Sequence, residues 1–232
     1  MAPPIHFRIV RPSSANEIDK TRMALTPRSD DLFLVVDLQY DFLPGGKLAV
    51  AGGDEIIIPI NRLGRRFENV AMTQDWHPRG HISFASSHAG ATPFEIMELP
   101  YGPQVLWPDH CVWDTHGAEF STDIELPHTQ LVIRKGYHEV VDSYSGFQEA
   151  DRRTKTGLEG YLRERKFKRL FIAGLATDFC VNWTAVDSAN AGFETYVIED
   201  ACRAIDTSGS LAQAWADMNA AGVKRIVAGD IA

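Results

Sequence analysis

Six short apolar runs recur along the chain, each bounded by charged or glycine residues. The runs Leu32–Asp37, Val70–Asp75, Gln130–Arg134, Arg169–Gly174, Thr195–Ile198 and Lys224–Val227 predict strands. Between them, Asp54–Arg66, Thr156–Arg165, Phe179–Ala191 and Ser208–Ala221 carry helical patterns flanked by the Gly, Ser, Thr or Asp residues that cap or end helices. Pro59 weakens the first of these. Strands without strict polar alternation, interleaved with helices, are the pattern of βαβ units in a parallel sheet covered on both faces. The expected class is therefore α/β. The chain has 232 residues, enough for one well-buried core of this kind and few for two. Residues 1–28, with Pro3-Pro4 and Pro12-Ser13-Ser14, show no sustained period and read as an N-terminal extension ahead of a domain at 29–232. An alternative reading makes Ile5–Val10 an edge strand.

One stretch breaks the rhythm. Trp76 to His128 has little helical period and holds four prolines between Pro93 and Pro108. Loops of this length inside a compact domain usually serve a site. Seven of the eight histidines lie between His77 and His138, so the histidine chemistry is concentrated in and just after this excursion.

The net charge of −8 excludes a nucleic-acid surface and leaves any cationic work to local residues. Cys111, Cys180 and Cys202 form no close pair, which argues against a disulfide framework or a CxxC metal site and for a reducing compartment. No run reaches the roughly 20 apolar residues of a membrane span. No membrane partner is expected, and a cytoplasmic location is.

Ligands of open α/β sheets bind outside the carboxyl ends of the strands. Three chemically distinct residues stand there: Asp37 and Lys135 directly after apolar runs, and Cys180 six residues beyond Gly174, where a helix is expected to begin. A thiol at a helix N-terminus is favoured as thiolate, although a free cysteine is more often inert core. Asp37 can take its proton and return it to a leaving group, and Lys135 can hold Asp37 ionised. Asp41 reads as a turn residue. In the extended segment Asp75-Trp76-His77, residues i and i+2 share a side and can share a metal ion. His110 could close that set from the long loop, with His81 within reach of it. Phe42, Trp107, Tyr144 and Phe147 could wall a flat aromatic ligand, or could be core.

Taken in order, Asp37-Leu-Gln-Tyr-Asp41-Phe42, Asp75-Trp-His77-Pro-x-x-His81-Ile-Ser-Phe84, Trp107-Pro-x-His110-Cys-Val, Lys135-Gly136 and Ala176-Thr177-Asp178-Phe179-Cys180-Val181 resemble the nicotinamidase/pyrazinamidase family of isochorismatase-like hydrolases. The resemblance spans the chain from Asp31 onward. It implies a three-layer, Rossmann-like fold with a six-stranded, mainly parallel sheet flanked by helices, and an Asp37–Lys135–Cys180 triad. It implies a cis peptide at Leu175–Ala176 and an oxyanion hole made by the N–H groups of Ala176 and Cys180. One divalent ion on Asp75, His77 and His110 is implied as cofactor, zinc ahead of iron(II) or manganese(II), with no organic cofactor. The substrate it implies is nicotinamide, its ring held by that ion and walled by Phe42, Trp107 and Tyr144; homo-oligomers are left open. Where the family commonly has Gly-Thr after the metal histidine, this chain has Trp113-Asp114-Thr115. The rivals are another amide or ureido hydrolase of the same superfamily, a binding module that keeps the fold, and a redox role for Cys180.

Overall fold

The computed structural model describes residues 24–232. Its centre is a sheet of six strands: β1 (Asp31–Val36), β2 (Val70–Asp75), β5 (Thr129–Lys135), β6 (Arg169–Leu175), β7 (Glu194–Arg203) and β8 (Lys224–Ile226). All five ladders are parallel, in the order β5-β2-β1-β6-β7-β8. Every residue of β1, β2 and β6 is buried, which explains the unbroken apolar runs. β5, at the edge, alternates between half-buried and exposed positions. The helices among the described residues are α1 (Ile57–Gly64), α2 (Leu158–Glu164), α3 (Asn182–Asn190) and α4 (Ser210–Ala220).

The strand order creates the site. From β1 the chain proceeds through β2 to β5 on one side, then returns to place β6, β7 and β8 on the other. The reversal opens a crevice at the carboxyl ends of β1 and β6, the topological switch point where α/β proteins bind ligands. Asp37 follows β1, and the segment that carries Cys180 follows β6. Gly174 lets these strands approach closely: at φ 128°, a Cβ there would lie 2.1 Å from the Val36 carbonyl oxygen. At the opposite ends of the same strands, Arg169 clamps Asp31 through two buried hydrogen bonds of 2.7 and 2.6 Å.

The helices are shorter than expected. The segment predicted as Asp54–Arg66 begins as a 3₁₀ turn, Gly53–Ile56, and Pro59 sits in the first turn of α1, where its missing N–H costs no helical bond. Thr195–Ile198 is only the first part of β7. The long excursion contains a hairpin that periodicity did not show, β3 (Ile96–Leu99) paired antiparallel with β4 (Gly102–Val105). Pro103 lies within this two-stranded edge element, a position proline tolerates. The candidate strand Ile5–Val10 and most of the expected extension lie outside the described residues. Leu25 already bridges Ile231 near the C-terminus.

Candidate active site

Lys135 is the hub of the crevice. Its wholly buried ammonium lies 2.8 Å from Asp37 Oδ2 and 2.8 Å from Asp75 Oδ1, and donates to the Ser143 carbonyl at 3.1 Å and to Cys180 Sγ at 3.3 Å. Burial works against this charge, but Asp37, Asp75 and Cys180 together hold the pKa well above the ordinary lysine value. Lys135 is therefore a permanent cation shared by two carboxylates and a thiol. Asp37 occupies a left-handed conformation, φ 49°, and receives the Thr73 hydroxyl on Oδ1 at 2.6 Å. Burial raises its pKa above that of an ordinary aspartate, Lys135 opposes the rise, and Asp75 adds to it.

Cys180 departs from its sequence reading in two ways. It lies inside a π-helical turn, Thr177–Val181, ahead of α3, so the helix expected from Phe179 starts at Asn182. Its thiol is pushed well above the ordinary cysteine value, by burial first and by Asp37 and Asp75 against the pull of Lys135. Burial thus works against the thiolate that a helix N-terminus would favour, and Lys135 works for it. The Leu175–Ala176 peptide just before this turn is cis.

Beside the triad, Asp75, His77 and His110 bring three potential donor atoms within 4.8 Å of one another, all buried. Asp75 Oδ2 is 3.1 Å from His77 Nε2 and 3.4 Å from His110 Nε2, while Oδ1 faces Lys135. Both rings are oriented by backbone carbonyls: His77 Nδ1 donates to Gly136 O and His110 Nδ1 to Pro108 O, each at 2.8 Å. A carbonyl can only accept, so in the neutral rings both Nε2 atoms present lone pairs toward Asp75. Gly136 has to be glycine at φ 68°, because a Cβ would meet His77 Cε1 at 2.5 Å. Burial opposes protonation of His77, yet Asp75 outweighs it and raises the pKa; burial likewise opposes ionisation of Asp75, yet His77 and Lys135 hold its pKa well below the ordinary range. Two imidazoles and one carboxylate with room for further ligands suit zinc or iron(II).

A second donor set, His77, His81 and Asp142, shares His77 with the first. His81 Nε2 donates to Val141 O at 3.1 Å, and its other nitrogen accepts the Ser83 hydroxyl at 2.7 Å. Its lone pair is thus engaged, and its pKa is pushed down to about 4, by burial and then by His77. His81 packs its ring 4.3 Å from that of His77. Its contacts pack it as a support for the His77 ring.

The crevice above these groups is a slot with about 330 Å³ of empty space, part of it open to solvent. Phe42, Trp107, His110, Tyr144, Ala176 and Cys180 line it, so the three expected wall residues share one space with the thiol and a candidate ligand. Phe147 does not line it; this ring is core, 6.2 Å from Phe193. Trp107 Nε1 donates to the Tyr144 hydroxyl at 3.0 Å, which fixes both rings. Asp41 is a buried strut: its Oδ2 accepts the Cys111 N–H at 2.7 Å, tying the Phe42 turn to the His110 loop. Cys111 and Cys202 are buried, and burial lifts both thiols, Cys202 to about 12. Asp114 takes φ 57°, a conformation that Gly adopts without strain and Asp tolerates.

Sequence reasoning missed Thr73, Ser143, Asp142, Phe179, Leu48 and Ile205. Thr73 was recoverable, since it lies two residues before Asp75 on the same face of β2. Leu48 and Ile205 reach the slot from turns with no motif.

Fold and crevice define a class: a doubly wound parallel α/β protein in which a buried carboxylate, lysine and thiol adjoin a donor set for a divalent ion. The chain belongs to the isochorismatase family, whose domain matches residues 31–228. It is 59% identical to the nicotinamidase of Acinetobacter baylyi over 193 residues, 83% of this chain and 90% of that protein. A solved nicotinamidase/pyrazinamidase from Acinetobacter baumanii superposes with a TM-score of 0.87 at 56% identity, covering 88% of this chain and 98% of that one. The pyrazinamidase of Pyrococcus horikoshii, solved in complex with zinc, superposes with a TM-score of 0.71 at 36% identity over 85% and 99% of the two chains.

Proposed function

We propose that this chain is a nicotinamidase that hydrolyses nicotinamide to nicotinate and ammonia in NAD salvage, with pyrazinamide as a second substrate. The observation that carries the proposal is the meeting of Asp37, Lys135 and Cys180 at an aromatic-walled slot beside the Asp75/His77/His110 donor set. The nicotinamidase of A. baylyi, at 59% identity, supports the same reading.

Asp37 takes the proton of Cys180 as sulfur attacks the carboxamide carbon. Its raised pKa brings it closer to a group that can hold that proton and release it. The backbone N–H groups of Ala176 and Cys180 receive the negative oxygen, and Lys135, cationic throughout, balances the charge below. Asp37 then gives the proton to the leaving nitrogen, ammonia departs, and a thioester remains on Cys180. A water molecule loses a proton to Asp37 and adds to the thioester carbon. The C–S bond breaks, the thiolate recovers its proton from Asp37, and the acid leaves as nicotinate with its carboxyl proton passing to the released ammonia. Asp75, His77 and His110 would hold a divalent ion, zinc first, which supplies an electrophilic anchor for the pyridine nitrogen. No step requires an organic cofactor. Phe42, Trp107 and Tyr144 wall the ring.

We assign the catalytic unit to residues 29–232. Among the described residues no helix is long and apolar enough to cross a membrane. Three free buried cysteines are in keeping with the cytoplasmic location we propose.

The test is ammonia release from nicotinamide by purified protein, with metal content measured on the same sample. Turnover with about one divalent ion per chain is expected. Failure of metal-loaded protein to release ammonia from nicotinamide, with turnover of a ureido or carbamoyl compound, would favour the rival hydrolases of the superfamily.

A further inference from the structure

We propose that Gln39 is a positioning residue for the metal ligand Asp75, acting as a one-residue continuation of β1; this rests on the assignment of Asp75, His77 and His110 as ligands. The β1–β2 ladder ends at Val36 opposite Thr73, and at Asp37, φ 49°, the chain turns off the strand path. Asp75 lies two residues beyond the last pair, still in register with Lys135 of β5 on its other side. Trp76 N–H serves the β5 side, donating to Lys135 O at 2.9 Å. The N–H and C=O of Asp75 itself therefore face the side where β1 has ended.

The Gln39 side chain fills that place. Its Oε1 accepts the Asp75 N–H at 2.7 Å, and its Nε2 donates to the Asp75 C=O at 2.7 Å and to Ala118 O at 2.8 Å. A primary amide carries the same donor and acceptor as a peptide group, so one wholly buried side chain replaces a missing stretch of strand. The peptide groups on both sides of the Asp75 Cα are thereby fixed. With them is fixed the direction in which its carboxylate leaves the backbone toward Nε2 of His77 and His110. Gln39 stands two residues after Asp37, so one short segment positions both the base and a ligand. It is a positioning residue because its bonds go to the backbone of Asp75 and Ala118.

A role confined to packing the Ala118 turn is the competing explanation, and the protein contains a matched control. The Gln74 side chain also donates to Ala118 O, at 2.9 Å, and accepts from Arg134 Nε at 3.2 Å, but has no hydrogen bond to the Asp75 backbone. The experiment titrates Zn²⁺ against a chromophoric chelator in apo-protein of wild type, Gln39→Leu, Gln74→Leu and His110→Ala, and records Tm of each apo form. Gln39→Met substitutes if the leucine variant does not fold. The expected result is a loss of zinc affinity of about 10–100-fold for Gln39→Leu and less than about threefold for Gln74→Leu. The nicotinamide KM of Gln39→Leu should rise at limiting zinc, with kcat recovered when zinc is saturating. Equal losses in the two glutamine variants, or a lowered Tm with unchanged zinc affinity in the Gln39 variant, would overturn the proposal. Unchanged affinity in His110→Ala would instead overturn the ligand assignment, and the role of Gln39 with it.

Discussion

Replacing Lys135 with methionine keeps most of the side-chain volume and removes one charge from the most crowded electrostatic position in the crevice. In the native arrangement the ammonium stands 2.8 Å from one oxygen each of Asp37 and Asp75, and all three side chains are buried. Breaking a buried ion pair by deleting one partner costs about 3–5 kcal/mol, because the other charge is left uncompensated. Two carboxylates lose the same cation here, but either can take up a proton, which keeps the loss near that range instead of doubling it. With a urea m-value of roughly 3 kcal/mol/M for a domain of this size, the unfolding midpoint of metal-free protein should fall by about 1–1.7 M at pH 7. The pH dependence has a definite sign. Without Lys135 the folded-state pKa values of Asp37 and Asp75 rise, so the native variant holds protons near neutrality that the unfolded chain does not, and its stability increases as the pH falls toward the ordinary carboxylate range. In wild type, the depressed pKa of Asp75 contributes stability that is lost only below the ordinary aspartate value of about 4, outside this window, and the raised pKa of Asp37, which Lys135 holds down, gives a smaller effect of the variant's sign. The gap between the proteins should therefore narrow from pH 7 to pH 5. The assay is urea denaturation followed by circular dichroism at both pH values, with chelator present so that metal binding does not contribute. A midpoint shift below about 0.3 M at pH 7, or a gap that widens at pH 5, would refute the reasoning.

Three further outcomes are expected. The acid limb of kcat/KM should lie above the ordinary aspartate value of about 4, because Asp37 must be ionised to act as base and burial raises its pKa; a limb at or below that value would contradict this. Substitution His81→Ala should leave most of the bound metal in place, measured by elemental analysis after dialysis, whereas loss comparable to that in His110→Ala would make His81 a ligand. Substitution Arg169→Met, at the end of the sheet away from the crevice, should cost about 3–5 kcal/mol of unfolding free energy through the orphaned Asp31 while leaving KM unchanged, and a raised KM would show that the two ends of the strands are coupled.

The class of fold and the positions of the candidate site residues were legible for the same physical reason. Strands buried on both faces must be apolar throughout, so Leu32–Val36 and Arg169–Leu175 stand out in sequence, and the polar residues that follow them stand at the sheet's carboxyl edge. The hairpin β3–β4 was not legible: apart from the buried Gln104 its side chains are half-buried to exposed, with Pro100 and Pro103 between and within the strands, and nothing in such a pattern separates it from a loop. The bond from Lys135 to Asp75 was hidden because it depends on β5 lying next to β2, a pairing fixed by topology and not by local pattern. The elevated pKa of Cys180 was hidden likewise. The spacing after Gly174 indicated a helix start, but the thiol lies in a π-helical turn and is buried, and burial pushes its pKa up.

The most direct test of the central claim, that Cys180 carries the substrate as a thioester, is mass spectrometry of protein quenched in acid during turnover of nicotinamide. The account predicts a nicotinoyl adduct on the peptide containing Cys180 and on neither of those containing Cys111 or Cys202, with no adduct and no steady-state ammonia release in Cys180→Ala. Substantial turnover by Cys180→Ala, or an adduct on another residue, would contradict it.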